Sequence, residues 1–244
     1  MELAKEGCDV VIASRTQSAL DEAAKEIEDI TGRKIIPMAL DVTSREQVDG
    51  VMAEAVKQLG GLDILVNSAS LPGGSPSAVG PIDGLDENEL LSDFDTKYVG
   101  AFRCARAAIP FLKEQPWGRI INITSVAVKQ PIDGLILSNT VRAAVTGFAK
   151  TLANEVAPDG ITVNNVMPGF TRTERLDGLA ENSSATQGIT EEEAFARWAG
   201  QSPMGRIGEP KEFAALVAFL ASERASYITG TSIPVDGGFI QSLL

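Results

Sequence analysis

Apolar runs of strand length alternate with longer segments whose apolar residues recur at helical spacing, and the alternation continues along the whole chain. Residues 2–6 read as the last turn of a helix that stops at Gly7, because glycine is favoured just past a helix end. A buried strand is expected over 8–13, CDVVIA, followed by a helix with Leu20, Ala23, Ala24, Ile27 and Ile30 on one face. A second strand over 34–40 leads to a helix carrying Val48, Val51, Met52, Ala55, Val56 and Leu59, and a third strand lies at 62–66. Residues 71–84, rich in Gly, Pro and Ser, read as a long loop. The pattern then predicts a helix over about 86–112, a strand over 119–123, a helix from Asn139 to Val156 and a strand over 161–166. A polar insertion at about 171–208, with one short helix near 191–199, precedes a helix over 209–221 and a final strand over 231–235. Strands and helices in this order, with connections long enough for parallel pairing, imply an α/β doubly wound parallel sheet in a single domain spanning residues 1–244.

The stretch from Trp117 to Val156 carries the densest chemistry. Its β-branched strand ends at Thr124 and Ser125, at the carboxyl edge where open α/β sheets bind ligands. Ser138 and Arg142 stand four apart on the following helix, so they share one face about a turn apart. Ser138 also suits an N-cap for a helix beginning at Asn139.

Composition removes several chemistries. The chain has no histidine, which excludes a Ser-His-Asp hydrolase and an HExxH metalloprotease; with only Cys8 and Cys104 to offer thiolates, no metal site is expected. A formal charge of -12, from 21 Lys and Arg against 33 Asp and Glu, argues against nucleic acid or an anionic membrane as partner. No run of eighteen apolar residues is present and the opening residues have no signal-peptide pattern, so a soluble, cytoplasmic protein is expected.

Seven segments in order then resemble the short-chain dehydrogenase/reductase family, especially its bacterial 3-oxoacyl-acyl-carrier-protein-reductase-like branch. They are DVVIASR at 9–15, LDVTS at 40–44, LDILVNSAS at 62–70, GRIINITS at 118–125, GITVNNVMPGFTRTE at 160–174, PMGRIGEP at 203–210 and YITGTSIPVDGG at 227–238. The resemblance covers all 244 residues and implies a Rossmann-like fold, a nicotinamide cofactor and hydride transfer between that cofactor and a carbonyl or alcohol substrate. It implies NADP, with NAD as the alternative, because Arg15 matches a contact to the 2′-phosphate and Ser14 stands where NAD enzymes usually carry Asp. A solvated Arg at a strand end is the other reading of Arg15. Asp41 and Val42 match residues flanking the adenine, although Asp41 could equally cap the next helix. Asn67, Ser68 and Ala69 match the first residues of the family's NNAG segment, with Ser70 replacing its glycine. Pro168, Gly169 and Thr173 match the turn beside the nicotinamide amide.

Two departures stand out. The family's first strand and its TGxxxGxG turn are absent, so the expectation is that a strand-turn-helix unit of roughly twenty residues is missing through a misplaced start or truncation. The family's catalytic Ser is matched by Ser125, but Ser138 holds the Tyr position, Arg142 the Lys position and Lys97 the Asn position. A phenol has an unperturbed pKa of about 10 that a neighbouring ammonium can lower, whereas an alkyl hydroxyl has no such titration and Arg keeps its proton. Losing a positioned general acid costs roughly 10²- to 10⁴-fold. Two readings follow: an NADP-preferring oxidoreductase in which Ser125 and Arg142 polarise the substrate oxygen, and a catalytically impaired relative that binds nucleotide, ligand or partner without turnover. A structural subunit is a third. Lys97 could serve as a cation or a proton source, or lie on a solvated helix face. The family's habit of pairing its long helices implies a homodimer or homotetramer.

Overall fold

The computed structural model describes residues 1–70 and 82–243. In its first half α1 (Glu2–Lys5) leads to β1 (Val10–Ser14), α2 (Gln17–Thr31), β2 (Ile35–Ala39), α3 (Arg45–Leu59) and β3 (Ile64–Asn67). The second half contains α4 (Glu87–Phe94), α5 (Gly100–Leu112), β4 (Gly118–Ile123), α6 (Ile136–Val156) and β5 (Ile161–Pro168), then α7 (Glu174–Gln187), α8 (Glu191–Gln201), α9 (Pro210–Leu220) and β6 (Ser232–Val235). Gly32 and Gly60 end α2 and α3 at positive φ, the backbone region that glycine enters without a Cβ clash.

Three local features differ from the periodicity. The single helix expected over 86–112 is α4 and α5 joined by a π-helical turn, Asp95–Val99. Helix α6 begins at Ile136 with Leu135 as its N-cap, so Ser138 lies inside the first turn and does not cap. Within the segment expected to be mainly loops, α7 spans fourteen residues. Among the residues of α7 whose burial is described, only Leu176 and Ala180 are deeply buried, and its Gly178, Asn182, Ser183 and Ser184 are poor helix formers, so its periodic signal is faint. The loop expected at 71–84 falls mostly outside the described residues, which resume with a 3₁₀ turn at Ile82–Gly84.

All strand pairs are parallel, and helices cover both faces of the sheet. Alternate residues of β4 and β5 supply the two cores. Ile120, Ile161 and Val163 pack beneath α5 and α6, whereas Ile121 and Val166 pack beneath α9. Burial on both faces explains the continuous apolar character of these strands.

The sheet is divided. β1 pairs with β2, and β3, β4, β5 and β6 pair in that order, but β1 and β3 are not bonded to each other. Their facing edges line a cavity of about 1380 Å³. An open slot therefore lies between β1 and β3. Val10 donates to Lys34 O and Ser14 O accepts from Leu40 N, which turns the alternate residues Val11 and Ala13 towards the slot. Likewise Asp63 O accepts from Arg119 N, so Ile64 and Val66 face the slot from the other side.

Amide hydrogen exchange reads this division directly. The N–H groups of Val11, Ala13, Ile64 and Val66 are expected to exchange far faster than those of Ile120 and Val163; equal protection would show that the slot is closed in solution.

Candidate active site

At the carboxyl ends of the strands, Ser14 and Arg15 close β1, Asp41 and Val42 follow β2, and Asn67, Ser68, Ala69 and Ser70 run off the end of β3. All of them line the cavity, together with Lys97, Asn122, Ile123 and Arg142. One space thus joins the strand-end residues assigned to a nucleotide with two of the four residues assigned to catalysis. The fit to a dinucleotide is supported by Ser70 Oγ, which is buried on this wall with no hydrogen-bond partner among the described residues.

The nucleotide end is electrostatically set. Asp41 accepts from Thr43 N at 2.9 Å and from Thr43 Oγ1 at 2.7 Å. These hydrogen bonds, with help from the Arg15 charge, hold its carboxyl below the ordinary range. Ser44, not Asp41, caps α3, accepting from Gln47 N. Arg103 donates to Val42 O at 3.2 Å and pairs with Asp95 at 2.9 Å, tying the turn after β2 to the π turn. Ser14 and Arg15 are solvent-exposed, which suits contact with a charged ligand group.

At the other end, Arg142 Nη1 donates to Ile123 O at 2.9 Å and so fixes helix α6 to the end of β4. Two residues further on, Ser125 Oγ accepts from Ala127 N at 3.1 Å, capping a short 3₁₀ turn while its own O–H remains available to donate. Lys97 is buried and its Nζ contacts Asp93 Oδ2 at 2.6 Å, which excludes the solvated-face reading. Neither tyrosine lines the cavity. Tyr98 packs between Phe94 and Phe148, and Tyr227 is fully exposed rather than packed.

Behind this wall runs a ladder of side-chain amides. Asn67 Nδ2 donates to Asn122 Oδ1 at 2.9 Å, Asn122 Nδ2 to Asn165 Oδ1 at 3.1 Å, and Asn165 Nδ2 to Ser232 Oγ at 3.0 Å. Each pair is also a register pair of adjacent strands.

Comparison with known proteins agrees with this geometry. The family model described as enoyl-(acyl carrier protein) reductase matches residues 1–240. The chain belongs to this family of short-chain dehydrogenases/reductases. It is 34% identical to the NADPH-dependent reductase BacG of Bacillus subtilis over 247 aligned residues, covering 100% of this chain and 92% of the relative. It is 35% identical to the 3-oxoacyl-acyl-carrier-protein reductase FabG of Vibrio cholerae, covering 97% of this chain and 88% of the relative. Among solved structures, the L-sorbose reductase of Gluconobacter frateurii in complex with NADPH and L-sorbose superposes with a TM-score of 0.91 at 32% identity, over 98% of this chain and 90% of that one.

Within the family framework, some residues assigned from sequence stand apart. Pro168, Gly169 and Thr173 lie at and beyond the end of β5 and do not line the large cavity. Gly169 has a packing reason of its own, since a Cβ there would meet Asp236 Cα at 2.8 Å. Ser125 and Ser138 are half-buried and also outside the cavity lining, Ser138 one turn before Arg142 on α6. Sequence reasoning missed Asp93 and the Asn122/Asn165 ladder. The only signals available were an Asp four residues before Lys97 and polar residues inside strands that are otherwise apolar.

Asn122→Ala would leave Asn67 Nδ2 without its acceptor and Asn165 Oδ1 without its donor. At about 1–3 kcal/mol per buried unsatisfied group, the expected loss for the two is about 2–6 kcal/mol. Denaturant unfolding beside Ile120→Val, a change worth about 1 kcal/mol, checks this; equal losses would remove the ladder from the stability argument.

Proposed function

We propose that this protein is an NAD(P)-dependent short-chain oxidoreductase that reduces the carbonyl of a small molecule, with NADPH as the preferred cofactor. The observation that carries the reading is the single cavity joining Arg15 and Asp41 to Asn67–Ser70 and onward to Lys97 and Arg142. Family membership and relatives named as NADPH-dependent and 3-oxoacyl reductases support it. NADPH, when bound, supplies the hydride. Arg15 would pair with the 2′-phosphate, and Ser14 adds no carboxylate to repel it. Asn67, Ser68 and Ala69 would line the middle of the cofactor site, and Pro168, Gly169 and Thr173 would approach its nicotinamide end.

For the chemistry, the Ile123 carbonyl anchors the Arg142 guanidinium at the end of β4, where its charge lines the cavity. Arg142 and the Ser125 hydroxyl would together polarise the substrate oxygen and hold the negative charge that develops on it. Ser138, one turn away, would contribute a substrate hydrogen bond rather than a proton. A 3-oxoacyl compound or a similar carbonyl compound is the substrate class that fits the relatives.

A second reading, binding without turnover, is favoured by the missing phenol and amine at positions 138 and 142. One series of measurements separates the two. NADPH binding is followed by cofactor fluorescence, and NADPH oxidation is then assayed over ketones, 3-oxoacyl thioesters and sugars. Turnover by the native chain rejects binding alone, whereas activity gained only in Ser138→Tyr/Arg142→Lys supports it. Arg15→Ala is expected to weaken NADPH binding about tenfold or more, the value of one charge-assisted contact, while leaving NADH binding nearly unchanged. Failure to bind NADPH at millimolar concentration would sink the oxidoreductase reading.

Self-association as a dimer or tetramer is part of the same proposal. Leu91, Phe94 and Phe102 are exposed beside Tyr98 and Phe148, forming an aromatic surface along α4, α5 and α6. Phe102→Glu is expected to lower the molar mass measured by light scattering. A monomeric native chain would remove this part of the proposal.

A further inference from the structure

We infer that Lys97, held by Asp93, is the group that delivers a proton to the substrate oxygen. This rests on the reductase reading above and supplies the acid that the substitutions at 138 and 142 took away.

The local fold singles out this pair. The π turn Asp95–Val99 interrupts what would otherwise be one continuous helix, and wide turns of this kind recur at functional sites. Lysine is almost never fully buried unless paired, yet Lys97 is 7% exposed. Its partner Asp93, one turn earlier on α4, is 1% exposed. Taking both charges out of water costs more than an apolar pair of the same volume, so stability alone does not account for them.

Placement gives the pair its role. The π turn packs against α6, the helix that bears Arg142, and Lys97, Arg142, Asn122 and Ile123 line the same cavity. Of the cations on its wall among the described residues, Arg15, Lys97 and Arg142, only Lys97 can part with a proton, because a guanidinium keeps its own. Ser125 offers only an alkyl hydroxyl. Cys104, also on the cavity wall, is a weak acid whose thiol is pushed up to about 11 by burial.

The step balances simply. As the carbonyl carbon accepts the hydride, the carbonyl π electrons move onto oxygen. An N–H bond of the Lys97 ammonium breaks, an O–H bond forms, and a neutral amine remains beside the Asp93 carboxylate. Water in the cavity then returns the proton. Asp93 is the positioning residue, since it holds the ammonium in place and favours its protonated form. Among the described residues, the charged groups at the turn include Asp93 from α4 and the Asp95–Arg103 pair between the turn itself and α5, with Arg142 on α6, the helix packed against it.

The test compares Lys97→Met, Lys97→Arg, Asp93→Asn and Cys104→Ala with the native chain, each checked by thermal unfolding and by fluorescence titration with NADPH. The double variant Lys97→Met/Asp93→Leu removes both charges should a lone buried charge prevent folding. Lys97→Met and the double variant are expected to bind NADPH as the native chain does, with kcat down roughly 10²- to 10⁴-fold and KM little changed. Lys97→Arg should lose as much, because it keeps the charge and cannot release the proton. In Asp93→Asn the ammonium loses its counter-charge and deprotonates at lower pH, so the alkaline fall of kcat should move to lower pH. Carbon-13 NMR of the labelled Lys97 side chain should show the same downward shift without any turnover. Near-native kcat in Lys97→Arg would reduce Lys97 to an electrostatic role and overturn the inference, as would native rates in Lys97→Met or a loss confined to Cys104→Ala. No turnover by the native chain would instead reject the reductase reading, and the inference with it.

Discussion

The amide ladder from Asn67 through Asn122 and Asn165 to Ser232 is the interaction on which the working half of the molecule depends. Asn122 and Asn165 are almost completely buried, so each must find partners inside the protein or leave a polar group unsatisfied. They find them only when β3, β4, β5 and β6 stand in one particular register. A slip of one residue would turn the ladder to the opposite face and leave its donors and acceptors against apolar side chains. The ladder therefore aligns the four strand ends, and with them Ser68 to Ser70, Ser125 and the β5 turn.

The ladder stops at β3, at the wall of the cavity. Beyond it the sheet resumes as the separate β1–β2 pair, which brings Ser14, Arg15, Asp41 and Val42. The two parts are joined by helices that reach across the gap. Leu3 of α1 packs into the core under α9, while its neighbour Ala4 packs against Ala24 and Ile35 in the β1–β2 layer. Gly100 at the start of α5 lies so close to Val42 that a Cβ there would approach its side chain to 2.8 Å. Small residues and one short helix thus hold the β1–β2 pair against the four-stranded part.

Charge is distributed along the same cavity in a way that suits reduction. Arg15, Arg142 and Lys97 all line it, while Asp93 pairs with the most deeply buried of these cations. Arg142 is anchored to the Ile123 carbonyl, so the guanidinium is oriented before any ligand arrives. The chain has no histidine, and neither tyrosine lines this cavity.

By itself the sequence determined the alternating strands and helices, most of their boundaries, and the strand-end positions of Arg15, Asp41, Asn67 and Ser125. These are local properties: a periodicity of two or 3.6 and a stop at a strand end can be read from neighbours in the chain. The absence of histidine and the spacing of Ser138 and Arg142 four apart are equally plain from the letters. Tertiary structure alone decided that the sheet stays open between β1 and β3, because lateral pairing joins residues that no local pattern relates. It also decided that Asn67, Asn122 and Asn165, separated by 55 and 43 residues, form one ladder. It turned Lys97 inward through a π turn that helical periodicity does not encode, against an Asp that an i, i+4 spacing would otherwise place on a solvated face. Spacing can say which residues share a helix face; only the packing of other elements decides whether that face meets water.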